Sequence, residues 1–234
     1  MTDGDTPDDL PSGSPPTTRW ARGGHANDGY GRRFGQLVAS GEDIDGEARL
    51  ADALLPRNAR VLDAGAGMGR VAAALQRRGH RVVAVEPDPA LVAQSRETYP
   101  DLEVVESDVL ALSTDALRER GLPTAYDLVV MVGNVMVFLA EETERAVLSR
   151  VRSLLAEGGR VLVGFHLTDG PTTSRDYPAE EFVADVEAAG LRVDLRAGSY
   201  ELHPPEDGYA VWVLARDDAP SPSAGQAHPN PISG

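Results

Sequence analysis

Short apolar runs recur through the middle of the chain, and most of them end at an acid, a glycine or a turn. Runs of this length, rich in valine and leucine, predict strands over Arg60–Asp63, Arg81–Val85, Leu102–Val105, Tyr126–Val132, Arg160–Phe165, Leu191–Arg196 and Tyr209–Arg216. Between them the spacing becomes helical. Val71 to Leu75 opens a helix that Gly79 terminates. Asp88–Thr98 reads as a second, with Asp88 as N-cap and Pro89 at its first position. A third runs from about Glu141 to Ala156, with Leu148, Val151 and Leu155 as its apolar stripe. Alternating strands and helices imply right-handed crossovers and a mostly parallel sheet. The last connection differs: His203-Pro204-Pro205-Glu206-Asp207-Gly208 and its neighbours are too few for a helical crossover. The final two strands therefore pair antiparallel. Leu191, Val193 and Leu195 alternate with Arg192, Asp194 and Arg196, as in a strand with one wet face.

Upstream, Trp20 to Pro56 reads as mostly helical. Asn27-Asp28-Gly29-Tyr30 opens a helix through Phe34, Leu37 and Val38, and the Gly41–Leu50 stretch breaks and restarts it. Pro56 closes it, and Trp20 packs its start. The two ends hold too little apolar surface to offset their ordering entropy. The expected division is an acidic disordered tail over 1–18, a helical segment over 19–56, one α/β domain over 57–218 and a second disordered tail over 219–234.

The chemistry concentrates where the first strand ends. Asp63-Ala64-Gly65-Ala66-Gly67-Met68-Gly69 is a glycine-rich turn that lets backbone approach a ligand closely. The second strand ends in Glu86, about 20 residues past the glycines, where a nucleoside ribose meets a sheet of this kind. A dinucleotide fingerprint reads G-x-G-x-x-G, whereas these glycines run Gly65-x-Gly67-x-Gly69. Asp63 would repel a pyrophosphate and attract an ammonium group.

The pattern Asp63-x-Gly65-x-Gly67-x-Gly69 resembles motif I of the class I S-adenosylmethionine (SAM)-dependent methyltransferases, over roughly residues 58 to 217. That resemblance implies SAM as cofactor and a Rossmann-like seven-stranded sheet, order 3-2-1-4-5-7-6, with a terminal antiparallel hairpin and helices on both faces. It implies that Gly65, Ala66, Gly67 and Gly69 pack on the methionine end, with Asp63 near the amino group. Glu86, followed by Pro87, matches the acid that holds the ribose hydroxyls, and Asp108, followed by Val109, the acid near the adenine amino group. Gly133-Asn134 resembles the motif after strand four that faces the sulfonium methyl. The family also places helices before the first strand over the cofactor as a lid, in which Tyr30, Arg33 and Phe34 could cap the site and Glu47 or Arg49 could contact the methionine carboxylate or the acceptor; the rival reading makes Phe34 and Leu37 core contacts and the charges a solvated face.

Methyl transfer needs in-line alignment above all, with a general base where the acceptor is a hydroxyl or a protonated amine. Asn134 is a candidate to orient acceptor or cofactor, its rival role being a turn cap; His166, at the end of the fifth strand, is the candidate base, its rival role being to hold the following loop. His203 and His25 carry no comparable argument. Arg70 either bridges to an acid or is solvated, and Met131 and Met136 read as core filling.

Composition narrows the partners. A net charge of −15 opposes DNA, RNA or an anionic membrane as direct partner, since each needs a basic footprint. The Asn-Pro-Pro-Tyr type of motif is absent after strand four, which further disfavours methylation of nucleic-acid bases or glutamine. With zero cysteines, disulfides, cysteine-based zinc sites and thiol nucleophiles drop out, and no metal site is expected. No apolar leader is visible, and the Leu128–Ala140 run is too short to span a bilayer, so a cytoplasmic location is expected. The leading expectation is direct in-line methyl transfer from SAM to a small molecule. Its rivals are a SAM-binding protein without transferase activity, a protein methyltransferase and, further off, a nicotinamide-dependent oxidoreductase.

Overall fold

The computed structural model describes residues 15–24, 29, 36–37, 40–41 and 43–218. The elements in chain order are α1 (Arg19–Gly23), α2 (Gly46–Ala53), β1 (Arg60–Ala64), α3 (Arg70–Arg77), β2 (Arg81–Glu86), α4 (Pro89–Thr98) and β3 (Glu103–Glu106). After a 3-10 turn at Val109–Ala111 come α5 (Thr114–Glu119), β4 (Tyr126–Met131), α6 (Val135–Phe138), α7 (Glu144–Ser153), β5 (Leu155–His166), α8 (Ala179–Ala188), β6 (Leu191–Ala197) and β7 (Tyr209–Arg216).

The strands form one seven-stranded sheet, order β3-β2-β1-β4-β5-β7-β6, as the sequence implied. β1 lies parallel to β2 (Val61 beside Val82) and to β4 (Val61 beside Leu128). β7 runs antiparallel to both β5 and β6, which is the expected terminal hairpin. Side chains alternate across the sheet and build two cores. Leu62, Val129 and Val161 join α5 to α8 on one face, where Phe165, Tyr177, Phe182 and Trp212 form an aromatic cluster. Val61, Val130 and Leu162 join α2, α3 and α4 on the other. Asp88 caps α4 as expected, its carboxylate accepting from the Ala90 N–H at 2.9 Å, with Pro89 in the first turn.

One helix is shorter than its periodicity predicts. α7 starts at Glu144, after Glu142 takes a left-handed φ of 62°, and ends at Ser153. Leu155, read as part of its stripe, instead pairs with Tyr126 and starts β5 five residues before the expected Arg160. Among the described residues no helix is long and apolar enough to cross a membrane. Asn27, Asp28 and Tyr30 of the expected helix opening, most of the first tail (1–14) and the second tail (219–234) lie outside the described residues.

Candidate active site

Strand order reverses between β1 and β4, and in such sheets the crevice beyond the carboxyl ends of the strands receives ligands. The turn after β1 hangs on β2: the N–H groups of Gly65 and Ala66 both donate to the Val85 carbonyl, at 2.8 and 3.0 Å. Gly65 sits at φ +81°, and a Cβ there would lie 2.6 Å from Val135 Cγ2. Glycine at 65 is therefore what allows the β1 turn to approach α6 so closely.

Glu86 ends β2 with both carboxylate oxygens engaged by backbone. Gly67 N–H donates to Oε2 at 2.8 Å and Asp88 N–H to Oε1 at 2.9 Å. The residue is buried, and desolvation pushes its pKa up to about 7 against those two bonds. Asp63 is likewise buried at 2% exposure and accepts from Ala72 N–H at 3.0 Å. Burial raises it also to about 7, with Arg70 opposing the shift. Asp108 caps the 3-10 turn by accepting from Leu110 N–H at 2.8 Å, and burial raises its pKa.

Two neighbouring cavities open here. The larger, about 630 Å³ and open to solvent, is lined by Gly65, Gly67, Glu86, Pro87, Asp108, Val109 and Gly133 among the residues expected from sequence. The smaller, about 340 Å³, is lined by Asp63 and Ala66 together with Met68 and Arg70. Gly65 and Gly133 border both. Gly69 lines neither; at φ +82° it begins α3, where a Cβ would lie 2.4 Å from Ser95 Oγ and 2.8 Å from Leu102.

Asn134 and His166 meet each other just past Gly133, and neither lines either cavity. Asn134 adopts a left-handed φ of 78°, and its Oδ1 accepts the His166 backbone N–H at 2.9 Å. The same oxygen lies 2.9 Å from His166 Nδ1. An oxygen already accepting a backbone N–H meets Nδ1 as a donor, so neutral His166 carries its proton on Nδ1 and its lone pair on Nε2. The His166 ring stands edge-to-face against Tyr209, centroids 4.9 Å apart.

Several lining residues carry no sequence motif. Thr18, Trp20, Leu91, Val135, Phe138 and Leu139 give the larger cavity its apolar wall. Trp20, expected only to pack its own segment, instead donates from Nε1 to Asp88 Oδ2 at 2.8 Å and meets Phe138 edge-on at 5.3 Å. Arg19 holds the same segment down through Glu144 at 3.1 Å and the Leu139 carbonyl at 2.8 Å. Arg70 does bridge to an acid: its guanidinium pairs with Glu47 and donates to the Ile44 carbonyl at 2.6 Å. Arg49 pairs with Asp43 at 2.6 Å, so Glu47 and Arg49 both have protein partners. His203 contacts Ser199 Oγ at 3.1 Å in the exposed hairpin loop. Tyr30, Arg33, Phe34 and His25 lie outside the described residues.

The raised carboxyl pKa values give a testable pH dependence. Between about pH 4 and 7 the native protein keeps protons on Asp63 and Glu86 that the unfolded chain has released. These groups therefore add stability at acid pH that is lost as pH rises through 7. Binding that needs both ionised runs the other way, so SAM affinity is expected to rise from pH 6 to 8. Calorimetry in buffers of different ionisation enthalpy should show about one and a half protons released from the two carboxyls per SAM bound at pH 6.5. Binding without proton release would contradict the ionised-carboxylate site.

Sheet order, glycine turn and strand-end acids together define an α/β nucleoside-binding protein. Residues 61–159 match the family described as a methyltransferase domain. The structure of a TehB-like SAM-dependent methyltransferase from Corynebacterium glutamicum superposes with a TM-score of 0.71 at 32% identity, covering 82% of this chain and 98% of that one. A 1,6-didemethyltoxoflavin-N1-methyltransferase from Burkholderia thailandensis shares the fold at 22% identity, with a TM-score of 0.57 over 91% of this chain and 95% of that one. Carboxy-S-adenosyl-L-methionine synthase of Stutzerimonas stutzeri is 30% identical over 69% of this chain and 64% of its own. Ribosomal RNA small subunit methyltransferase A of Chlorobium chlorochromatii is 28% identical over 39% of this chain and 35% of its own. The match thus spans between about a third and two thirds of these curated relatives. The chain belongs to the class I SAM-dependent methyltransferases, a family of enzymes whose cofactor is S-adenosylmethionine.

Proposed function

We propose that this protein transfers a methyl group from SAM to a small-molecule acceptor by direct in-line displacement. The observation that carries the reading is the convergence of Glu86, Asp108 and the Gly65–Gly67 turn on one cleft, beside a smaller one holding Asp63 and Arg70. A volume of about 630 Å³ suits a nucleoside, and the residues present fit its polar groups. Glu86 would hold the ribose hydroxyls, already fixed by the Gly67 and Asp88 N–H groups. Asp108, Pro87 and Val109 would frame the adenine, with Trp20 and Phe138 on the apolar wall. Asp63 would face the amino group, and residues 19–56 would serve as the lid of a catalytic domain over 57–218.

When bound, SAM supplies a methyl group already activated by a cationic sulfur. Asn134 positions His166, whose Nε2 lone pair is set to take a proton from the acceptor. The new bond joins the acceptor atom to the methyl carbon as the carbon–sulfur bond breaks. The sulfur keeps the electron pair, leaving S-adenosylhomocysteine (SAH), and the acceptor proton passes to His166 or water.

The small-molecule acceptor is supported by the net charge of −15, which repels RNA, and a cytoplasmic location goes with this reading. The similarity to carboxy-S-adenosyl-L-methionine synthases supports a second reading, carboxylation of the cofactor methyl. It would require a cation for the new carboxylate, and Arg70, which lines the smaller cavity, is engaged by Glu47. Incubation with methyl-deuterated SAM and separate pools of small metabolites, RNA and protein distinguishes the readings by mass spectrometry. Label is expected in the metabolite pool. Label in RNA or protein, or a carboxylated cofactor, would replace the proposal.

A further inference from the structure

The aspartate that starts α4 also serves the larger cavity. Both carboxylate oxygens and the backbone N–H of Asp88 are engaged, each by a different partner. Oδ1 accepts the Ala90 N–H at 2.9 Å, which is the helix cap itself. The Asp88 N–H donates to Glu86 Oε1 at 2.9 Å, and Oδ2 accepts the Trp20 indole N–H at 2.8 Å. Asp88 lines neither cavity, yet Glu86 and Trp20 both line the larger one. A helix cap accounts for the first of these bonds; the other two land on the cavity wall.

Trp20 depends on such a hold. It belongs to α1, and none of the five residues of that helix is buried, so core packing does not fix its place. Polar ties do. Arg19 reaches Glu144 at 3.1 Å and the Leu139 carbonyl at 2.8 Å, and Arg22 reaches Glu141 at 2.7 Å. The Arg22 pair is exposed at both ends and contributes little. The bond to Asp88 ties the same segment to the β2–α4 turn, whose Pro87 and Leu91 line the cavity together with Phe138 and Leu139 from the α6 side. The Trp20 ring meets Phe138 edge-on at 5.3 Å, so the indole has its apolar body against the wall and its polar tip on Asp88.

From these bonds we infer that Asp88 is a positioning residue for the adenosine end of the cofactor, holding the Trp20 indole in the cavity wall through Oδ2 while its N–H holds Glu86. The ligand then meets a wall already in place, and binding does not bear the entropy of ordering residues 18–23. The inference rests on the cofactor placement proposed above.

The test needs no methyl acceptor. SAH and 5′-methylthioadenosine, which carries the adenosine and sulfur without the amino-acid tail, are each titrated calorimetrically into the full-length protein. Wild type, Trp20→Phe, Asp88→Asn and the double variant are compared at pH 8, with thermal melting to confirm that each is folded. At that pH Glu86, raised to about 7, is ionised with or without the Asp88 charge. Trp20→Phe keeps a ring against Phe138 and loses the indole N–H. Asp88→Asn keeps an oxygen for the Ala90 cap and turns its NH2 group towards the indole, while its backbone N–H still reaches Glu86. Each single variant is expected to weaken SAH by about fivefold, and 5′-methylthioadenosine by the same factor. The double variant should match the singles within about twofold, where independent effects would multiply to about twenty-five-fold. Limited trypsin digestion supplies a readout that a helix cap alone would not move: cleavage after Arg19 and Arg22, located by mass, is expected to speed up in both single variants. Unchanged affinity in Trp20→Phe, multiplying losses in the double variant, weakening of SAH without 5′-methylthioadenosine, or unaltered digestion would overturn the inference. Failure of the placement itself reads differently, as unchanged binding of both ligands to Glu86→Ala.

Discussion

A Glu86→Ala protein is expected to bind SAH about a hundredfold more weakly than the wild type, close to 3 kcal/mol. Two losses add. The alanine removes charge-assisted acceptors for the ribose hydroxyls, worth roughly 1.5–3 kcal/mol. It also releases the Gly67 and Asp88 N–H groups, which Glu86 holds at 2.8 and 2.9 Å, so the turn on which the ligand rests loses its anchor. Glu86→Gln separates the two effects incompletely, because its NH2 group must face one of two N–H donors; it should fall between alanine and wild type. Because burial of the charged form opposes folding above pH 7, neither variant is expected to melt much below the wild type at pH 8. Calorimetric titration of SAH reads the effect, and undiminished affinity would remove Glu86 from the pocket.

The second large effect falls on chemistry. With an acceptor that the deuterium screen identifies, His166→Ala is expected to lower the transfer rate by about a hundredfold or more, the usual contribution of a positioned base. SAH affinity should stay within about twofold, since His166 lines neither cofactor cavity. Asn134→Ala should act in the same direction, because Asn134 Oδ1 holds both the His166 backbone N–H and Nδ1 at 2.9 Å. The Asn134 variant carries an added cost, as alanine tolerates the φ of 78° less well than asparagine. Steady-state kinetics and SAH titration together decide. A His166 variant that loses cofactor binding along with rate would mark the residue as a support for the Leu167–Gly170 loop rather than a base.

The parts of the site legible in sequence are those set by local chemistry. Asp63, Glu86 and Asp108 each close a short apolar run, and strand ends in a parallel sheet gather along one edge whatever the helices between them do. Seven strand segments were visible because each is a valine- and leucine-rich run bounded by turn residues. The antiparallel hairpin followed from connection length alone. What stayed hidden depends on tertiary partners. Leu155 fits the stripe of α7 equally well as an opening strand residue, and only pairing with Tyr126 decides between them. Trp20 lies 68 residues from Asp88 in sequence, so nothing local announces that its indole bonds to Asp88. Tyr200 and Tyr209 sit in a hairpin without a motif, and their close approach to Gly164 in the middle of a buried strand is visible only once the sheet is assembled.

The central claim, that the Glu86–Asp108 cleft and its Asp63 neighbour together receive SAM, is tested most directly by isothermal titration of the full-length protein with SAM, SAH and NADH. The account predicts binding of SAM and SAH with dissociation constants on the order of micromolar, and no heat with NADH. Binding of NADH in place of either adenosyl ligand, by a protein shown to be folded, would contradict it.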